Sequence, residues 1–200
     1  MKEIDYSAGM VSKPFWFIES KTVVMLLHQG LDYVEIKRRA MEENLFGVAK
    51  SYRALEIYNG VTHRTKLFDQ TLIDLFCKAD LAEQKAMILI SVMQLDRLFF
   101  EFMHDVYRGK LLLGITVLTD SDINVFFSAK RAHSETMTKW QDYTYRKLRN
   151  SYINHLSDSG LVLRRDKAIE LTPPILGEWI EEYYESHELK PYFNAIIGRN

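Results

Sequence analysis

The side chains best suited to chemistry are Arg146, Lys147, Asn150 and Asn154, in the stretch YTYRKLRNSYINHL. On a helix starting near Thr144 they share one face, with Arg149 at its margin, while Tyr145, Leu148, Tyr152 and Leu156 fall on the opposite face at three-and-four spacing and belong to the core. The chemistry this polar set can do is recognition. Arginine reaches guanine through two parallel hydrogen bonds, asparagine pairs with adenine, and lysine or the nearby Thr144 anchors phosphates. Exposed cations on a helix are also what an ordinary solvated face looks like. Spacing alone leaves duplex DNA, a protein partner and a plain solvated face all open, with structured RNA a further possibility from the helical first half.

The elements around this helix sharpen the reading. Gly160 follows it as a C-terminal stop. The runs LVL and AIEL then flank Arg164, Arg165, Asp166 and Lys167, as the strands of a hairpin would, and Pro173 and Pro174 end it. Upstream, LTDSDINVFFSAKRAH reads as a helix capped by Asp120, Ser121 and Asp122, followed by SETMTKW and a turn-like QDYT. Helices followed by a two-stranded hairpin are the element order of a winged helix, whose last helix enters the groove and whose wing touches the backbone. Lys139, Arg164, Arg165 and Lys167 are therefore placed on phosphates.

Local charge agrees. Residues 128–149 carry six bases against two acids, and the hairpin tip adds three bases against Asp166. From Glu170 onward the balance reverses, with six glutamates against Lys190 and Arg199, so a formal net charge of −1 hides a basic part and an acidic end. A second basic patch spans Lys37 to Lys66, seven bases against three glutamates, across a pair with helix-turn-helix character. Lys50 and Arg53 fall in the first turn of its second member and would face DNA if the pair docked, although packing alone also accounts for such a pair.

Other chemistries lack their residues. The chain has no glycine-rich phosphate loop and no GxSxG elbow, and its six histidines lack metal-ligand spacing. Glu101 and His104 make a single ExxH, where a di-iron bundle needs two and further glutamates. The single cysteine, Cys77, excludes an internal disulfide and a cysteine-based zinc site, and reads as a buried inert thiol. No enzyme activity, cofactor, metal or small-molecule substrate is expected. Charges limit the apolar run 86–95 to ten residues, too short for a membrane span, and the N-terminus has no signal-peptide pattern. A soluble cytoplasmic protein follows.

The 200 residues, 47% of them hydrophobic, suffice for a substantial core. Residues 1–68 read as helical with helix-turn-helix character: a helix capped by Ser12 with Pro14 in its first turn, a second opened by Asp32 and Glu35, and a third after ENLFG. Residues 69–117 hold a short amphipathic helix, a long buried one opened by Asp80 and Glu83 and running past Val106, and a connector or short strand. Residues 118–200 form the winged-helix-like unit, closed by one acidic helix, ILGEWIEEYYES. Phe15, Trp16 and Phe17 belong to the core, and Tyr183 with Tyr184 makes a surface or docking element. The fold class is mainly α with a short C-terminal hairpin.

The segments YSAGMVSKPFWFIESKTV, ENLFG, LTDSDINVFFSAK, KW, YTYRKLRNSYINHL and SGLV together resemble the BrxA family, a small subunit of bacterial BREX phage-defence systems. The resemblance spans nearly the whole chain. It implies a helical, non-catalytic protein with helix-turn-helix or winged-helix character that binds double-stranded DNA beside other BREX subunits, and it supplies no catalytic motif. It favours DNA over the rival, a protein scaffold docked through the acidic, aromatic ending. The individual contacts rest on the local argument above, and one small module implies weak sequence discrimination.

Overall fold

The structure, a computed structural model, describes residues 6–166 and 168–199. It is mainly helical, with one small antiparallel sheet, and it divides into two compact units: residues 16–91, and residues 92 onward together with the segment up to Phe15.

In the first unit α1 (Phe17–His28), α2 (Tyr33–Glu42), α3 (Ser51–Thr65) and α4 (Gln70–Lys78) precede α5 (Leu81–Leu95). The expected start at Ser12 is corrected. Lys13 is extended (φ −109°, ψ 103°), the conformation a following proline imposes, so Gly9–Ser12 closes only a 3-10 turn and α1 begins after Trp16, which is left-handed at φ 47°. Asp32 caps α2 as expected, accepting the Glu35 N–H at 2.8 Å, and Asp80 and Glu83 cap reciprocally at the start of α5.

Val23, Ile36, Ala40, Ile57 and Val61 are packed with Trp16. The indole lies so close to α3 that a Cβ on Gly60 would stand 2.3 Å from it. Gly60→Ala therefore forces the ring or the helix to shift, and should cost about 1–3 kcal/mol; an unchanged urea midpoint would contradict this packing.

The long buried helix expected past Val106 is interrupted. Asp96 is extended (φ −132°, ψ 101°) and its carboxylate accepts the Phe99 N–H at 2.9 Å, so α5 stops at Leu95 and a new helix, α6 (Arg97–Phe102), is capped there. Apolar periodicity continues through such a break, which is why spacing alone merges the pieces. A π-helical turn (Met103–Tyr107) and α7 (Arg108–Leu112) complete the segment. Burial pushes the Asp96 carboxyl above its ordinary value, against the hydrogen bond from Phe99. Folded Asp96 thus holds its proton to higher pH than the unfolded chain does, and stability falls as pH rises through that interval. Asp96→Asn keeps a capping oxygen and removes the buried charge. It should flatten the decline between acid and neutral pH, and a decline as steep as the parent's would refute the assignment.

The remaining elements are β1 (Val117–Leu118), α8 (Asp120–Ala132), α9 (Glu135–Thr138), α10 (Asp142–Ser159), β2 (Val162–Arg165), β3 (Ala168–Leu171), α11 (Glu178–Ser186) and α12 (Lys190–Ile197). The sheet order is β1-β3-β2, so the expected hairpin gains a third strand through Val117 opposite Glu170 and Leu118 opposite Ile169. The cap of α8 is Thr119, one residue before the expected Asp-Ser-Asp. Thr119 continues the extended strand, which sets Asp122 at the third helical position, where each residue accepts the other's backbone N–H.

Two helices close the chain where one was expected. Tyr183 and Tyr184 are buried rather than offered for docking, Tyr184 at 0% exposure and stacked with Phe193 of α12. The acidic residues of α11 conceal its apolar inner face. Among the described residues no helix is long and apolar enough to cross a membrane.

Candidate nucleic-acid interface

α10 is held by rings. Tyr152, fully buried, lies 4.9 Å from Phe99 and 5.1 Å from Phe102 of α6, and 5.6 Å from Phe127 of α8. Leu148 and Leu156 are also at 0% exposure, and Tyr145, half-buried, donates its hydroxyl to the Met137 carbonyl. With the inner face anchored, Arg146, Lys147, Asn150 and Asn154 stand exposed on the outer one and Thr144 half-buried at its start. Gly160, left-handed at φ 84°, ends the helix and turns the chain into β2. Tyr107 of the π-helical turn donates to the Leu161 carbonyl at 3.2 Å, and Thr172 donates its hydroxyl to the Gly160 carbonyl at 2.8 Å, fixing the root of the hairpin.

The structure joins helix and hairpin directly, because the Arg164 guanidinium donates to the Asn154 side-chain oxygen. Arg165 pairs with Glu170 at 2.8 Å, an exposed contact of small energetic weight that another anion can displace. Lys167 lies outside the described residues. Lys139 is exposed just after α9, and neither it, Arg146 nor Lys147 makes an ion pair among the described residues. Lys147 instead lies over the Tyr143 ring at 4.5 Å.

Lys130 of α8 behaves differently. Lys130 is held by Glu101 at 2.6 Å and Asp105 at 2.9 Å. Burial opposes its charge, yet these hydrogen bonds prevail and raise its pKa. This pairing also occupies Glu101 of the lone ExxH, and no cluster suited to a metal occurs among the described residues.

Lys50 and Arg53 belong to the other unit. Lys50 precedes α3 and lies over Tyr52; Arg53, in the first turn, pairs with Glu56 at 2.6 Å and stacks on Trp16. Much of that patch is internally compensated: Arg38 is gripped by Glu35, Glu42 and Glu43, and Arg64 is buried against Trp16, its pKa lowered to about 10 by burial.

Two contributions to the α10 surface lie beyond the face that the helix spacing defines. The segment 10–14 lies along the helix, with Ser151 donating to the Met10 carbonyl at 2.8 Å, and brings Lys13 into a cleft of about 500 Å³ beside Lys147, Asn150 and Asn154. No spacing rule links residues this far apart. On the opposite flank, Arg131 and Arg149 join Arg146 around a second pocket. The polar stripe Asn124, Ser128, Arg131 on α8 was its visible signal.

The BrxA family matches residues 4–188. A curated relative, "BREX protein BrxA" of Bacillus cereus (strain H3081.97), is 36% identical over 198 residues, covering 99% of each chain. A crystal structure of an uncharacterized protein from Magnetospirillum magneticum superposes with a TM-score of 0.78 over 98% of this chain and 100% of that one, at 16% identity, which speaks to the fold alone. Family match, identity and coverage agree from end to end: this chain belongs to the BrxA family.

Proposed function

We propose that the protein is a non-catalytic, cytoplasmic, double-stranded DNA-binding accessory subunit of a BREX phage-defence system. The relative's name supports the system, and the surface supports the DNA. The observation that carries the reading is the outer face of α10, with Arg146, Lys147, Asn150 and Asn154 exposed beside the basic hairpin. The order β1, α8, α9, α10, β2, β3 and the sheet order β1-β3-β2 suit a winged helix, α10 serving as its recognition helix and β2–β3 as its wing. In that arrangement Asn150 reaches base edges, Asn154 orients Arg164, and Lys139, Arg146, Lys147, Arg165 and Lys167 meet phosphates. So few base contacts give weak sequence preference.

The test is fluorescence anisotropy on a duplex at graded salt. Neutralising about five phosphates gives a log-log slope of roughly −4.5. A flat response, or preference for structured RNA in competition, would contradict the reading. Exposed Leu113 and Val125, at 76% and 65%, line a groove of about 600 Å³ that suits contact with another subunit. They favour a second reading, a scaffold without DNA contact, which a failure to bind duplex even at low salt would leave standing.

A further inference from the structure

Between α8 and the first half of α10 lies a pocket of about 410 Å³ walled by Arg131, Arg146 and Arg149, with Asn124 and Ser128 as neutral polar groups. Its aromatic side is Phe127 and Tyr145, 5.6 Å apart, and Arg131 is held over the Tyr145 ring at 5.5 Å. Three guanidiniums from two helices would repel one another unless an anion lay among them. The acids present do little of this. Asp142 reaches Arg131 only at 4.0 Å with a side chain 92% exposed, and Asp120 takes one end of Arg149 at 2.7 Å, from outside the pocket wall. Arg146 has no ion pair among the described residues, and the Arg149 Nε–H is buried without an acceptor, a costly state that a ligand oxygen would relieve.

We propose that this pocket seats one phosphoryl group. Several forked donors converging from different directions match a tetrahedral anion with oxygens on all sides better than a planar carboxylate, which one arginine can satisfy. The loose, exposed Asp142 is the group the incoming anion displaces. The pocket has room for a phosphate and the sugar joined to it. Resting on the DNA reading above, the phosphate is assigned to the duplex backbone, which passes along the flanks of a helix seated in the groove. Phosphate capture on this flank would set the angle at which α10 enters the groove.

The experiment follows the arginine Nε–H signals of the full chain, labelled with nitrogen-15 arginine, during titration with inorganic phosphate and separately with a short duplex. Signals of Arg131, Arg146 and Arg149 should move in both, and the duplex should suppress the response to phosphate. Arg131→Gln with Arg146→Gln, which spares the Arg149–Asp120 pair, should weaken phosphate binding about tenfold or more while leaving the thermal midpoint near that of the parent. Movement with duplex alone also supports the backbone assignment. Movement with phosphate alone, in a chain that still binds duplex, overturns that assignment in favour of a free phosphate. Stillness of all three signals in both titrations overturns the site. Failure of the DNA reading shows itself separately, as a duplex that perturbs no arginine signal anywhere in the chain.

Discussion

Reversing two charges, Arg146→Glu with Lys147→Glu, should weaken duplex binding roughly a hundredfold at physiological salt and reduce the salt slope by about 1.8. Each phosphate no longer neutralised takes about 0.9 off the slope, which at that salt is somewhat under one power of ten in affinity, and the introduced carboxylates add repulsion. Both side chains are exposed and neither makes an ion pair among the described residues, so the fold should tolerate the change. The Lys147–Tyr143 pairing lies on the surface, and removing it should matter little beside the binding effect. Anisotropy supplies the affinity, and circular dichroism confirms that helix content is retained. Unchanged affinity and slope would remove α10 from the interface.

Phe99→Ala should destabilise the protein by about 3–5 kcal/mol. Phe99 is at 0% exposure, with ring centroids 4.9 Å from Tyr152, 5.7 Å from His155 and 6.5 Å from Phe102. Truncation leaves a cavity where α6 meets α10, and no small relaxation can bring the neighbouring rings back into van der Waals touch across it. The consequence for function is indirect: any folded fraction should bind duplex with near-normal affinity, because the polar face is untouched. Urea denaturation measures the destabilisation. A cost below about 1 kcal/mol would show that the rings do not anchor the helix.

The sequence carried α10 and its two faces plainly. Tyr145, Leu148, Tyr152 and Leu156 recur at helical spacing, Arg146, Asn150 and Asn154 fall between them, and Gly160 supplies a comfortable left-handed stop. The hairpin was equally legible, since β-branched and apolar runs flank a charged turn. What was hidden depended on backbone geometry or distance along the chain. The Asp96 break lies inside an unbroken apolar pattern, and only the conformation of one residue reveals it. Tyr183 and Tyr184 read as surface groups because glutamates surround them in the sequence, although both rings turn inward while Glu185 and Glu181 pair on the surface with Lys190 and Arg199. The segment 10–14 beside α10 and the α8 side of the arginine pocket join residues too far apart for periodicity to register. Charge counts overstated the patch between Lys37 and Lys66: Arg38, Arg39 and Arg53 are largely consumed by neighbouring glutamates at helical spacing.

Amide hydrogen exchange of the full chain with and without duplex tests most directly whether α10 and the wing form the interface. Protection on binding should concentrate in the first half of α10 and in β2–β3, with the adjoining end of α8, and α11 and α12 should exchange as in the free protein. Duplex-dependent protection confined to α2 and α3, or absent throughout under conditions where the duplex is bound, would contradict it.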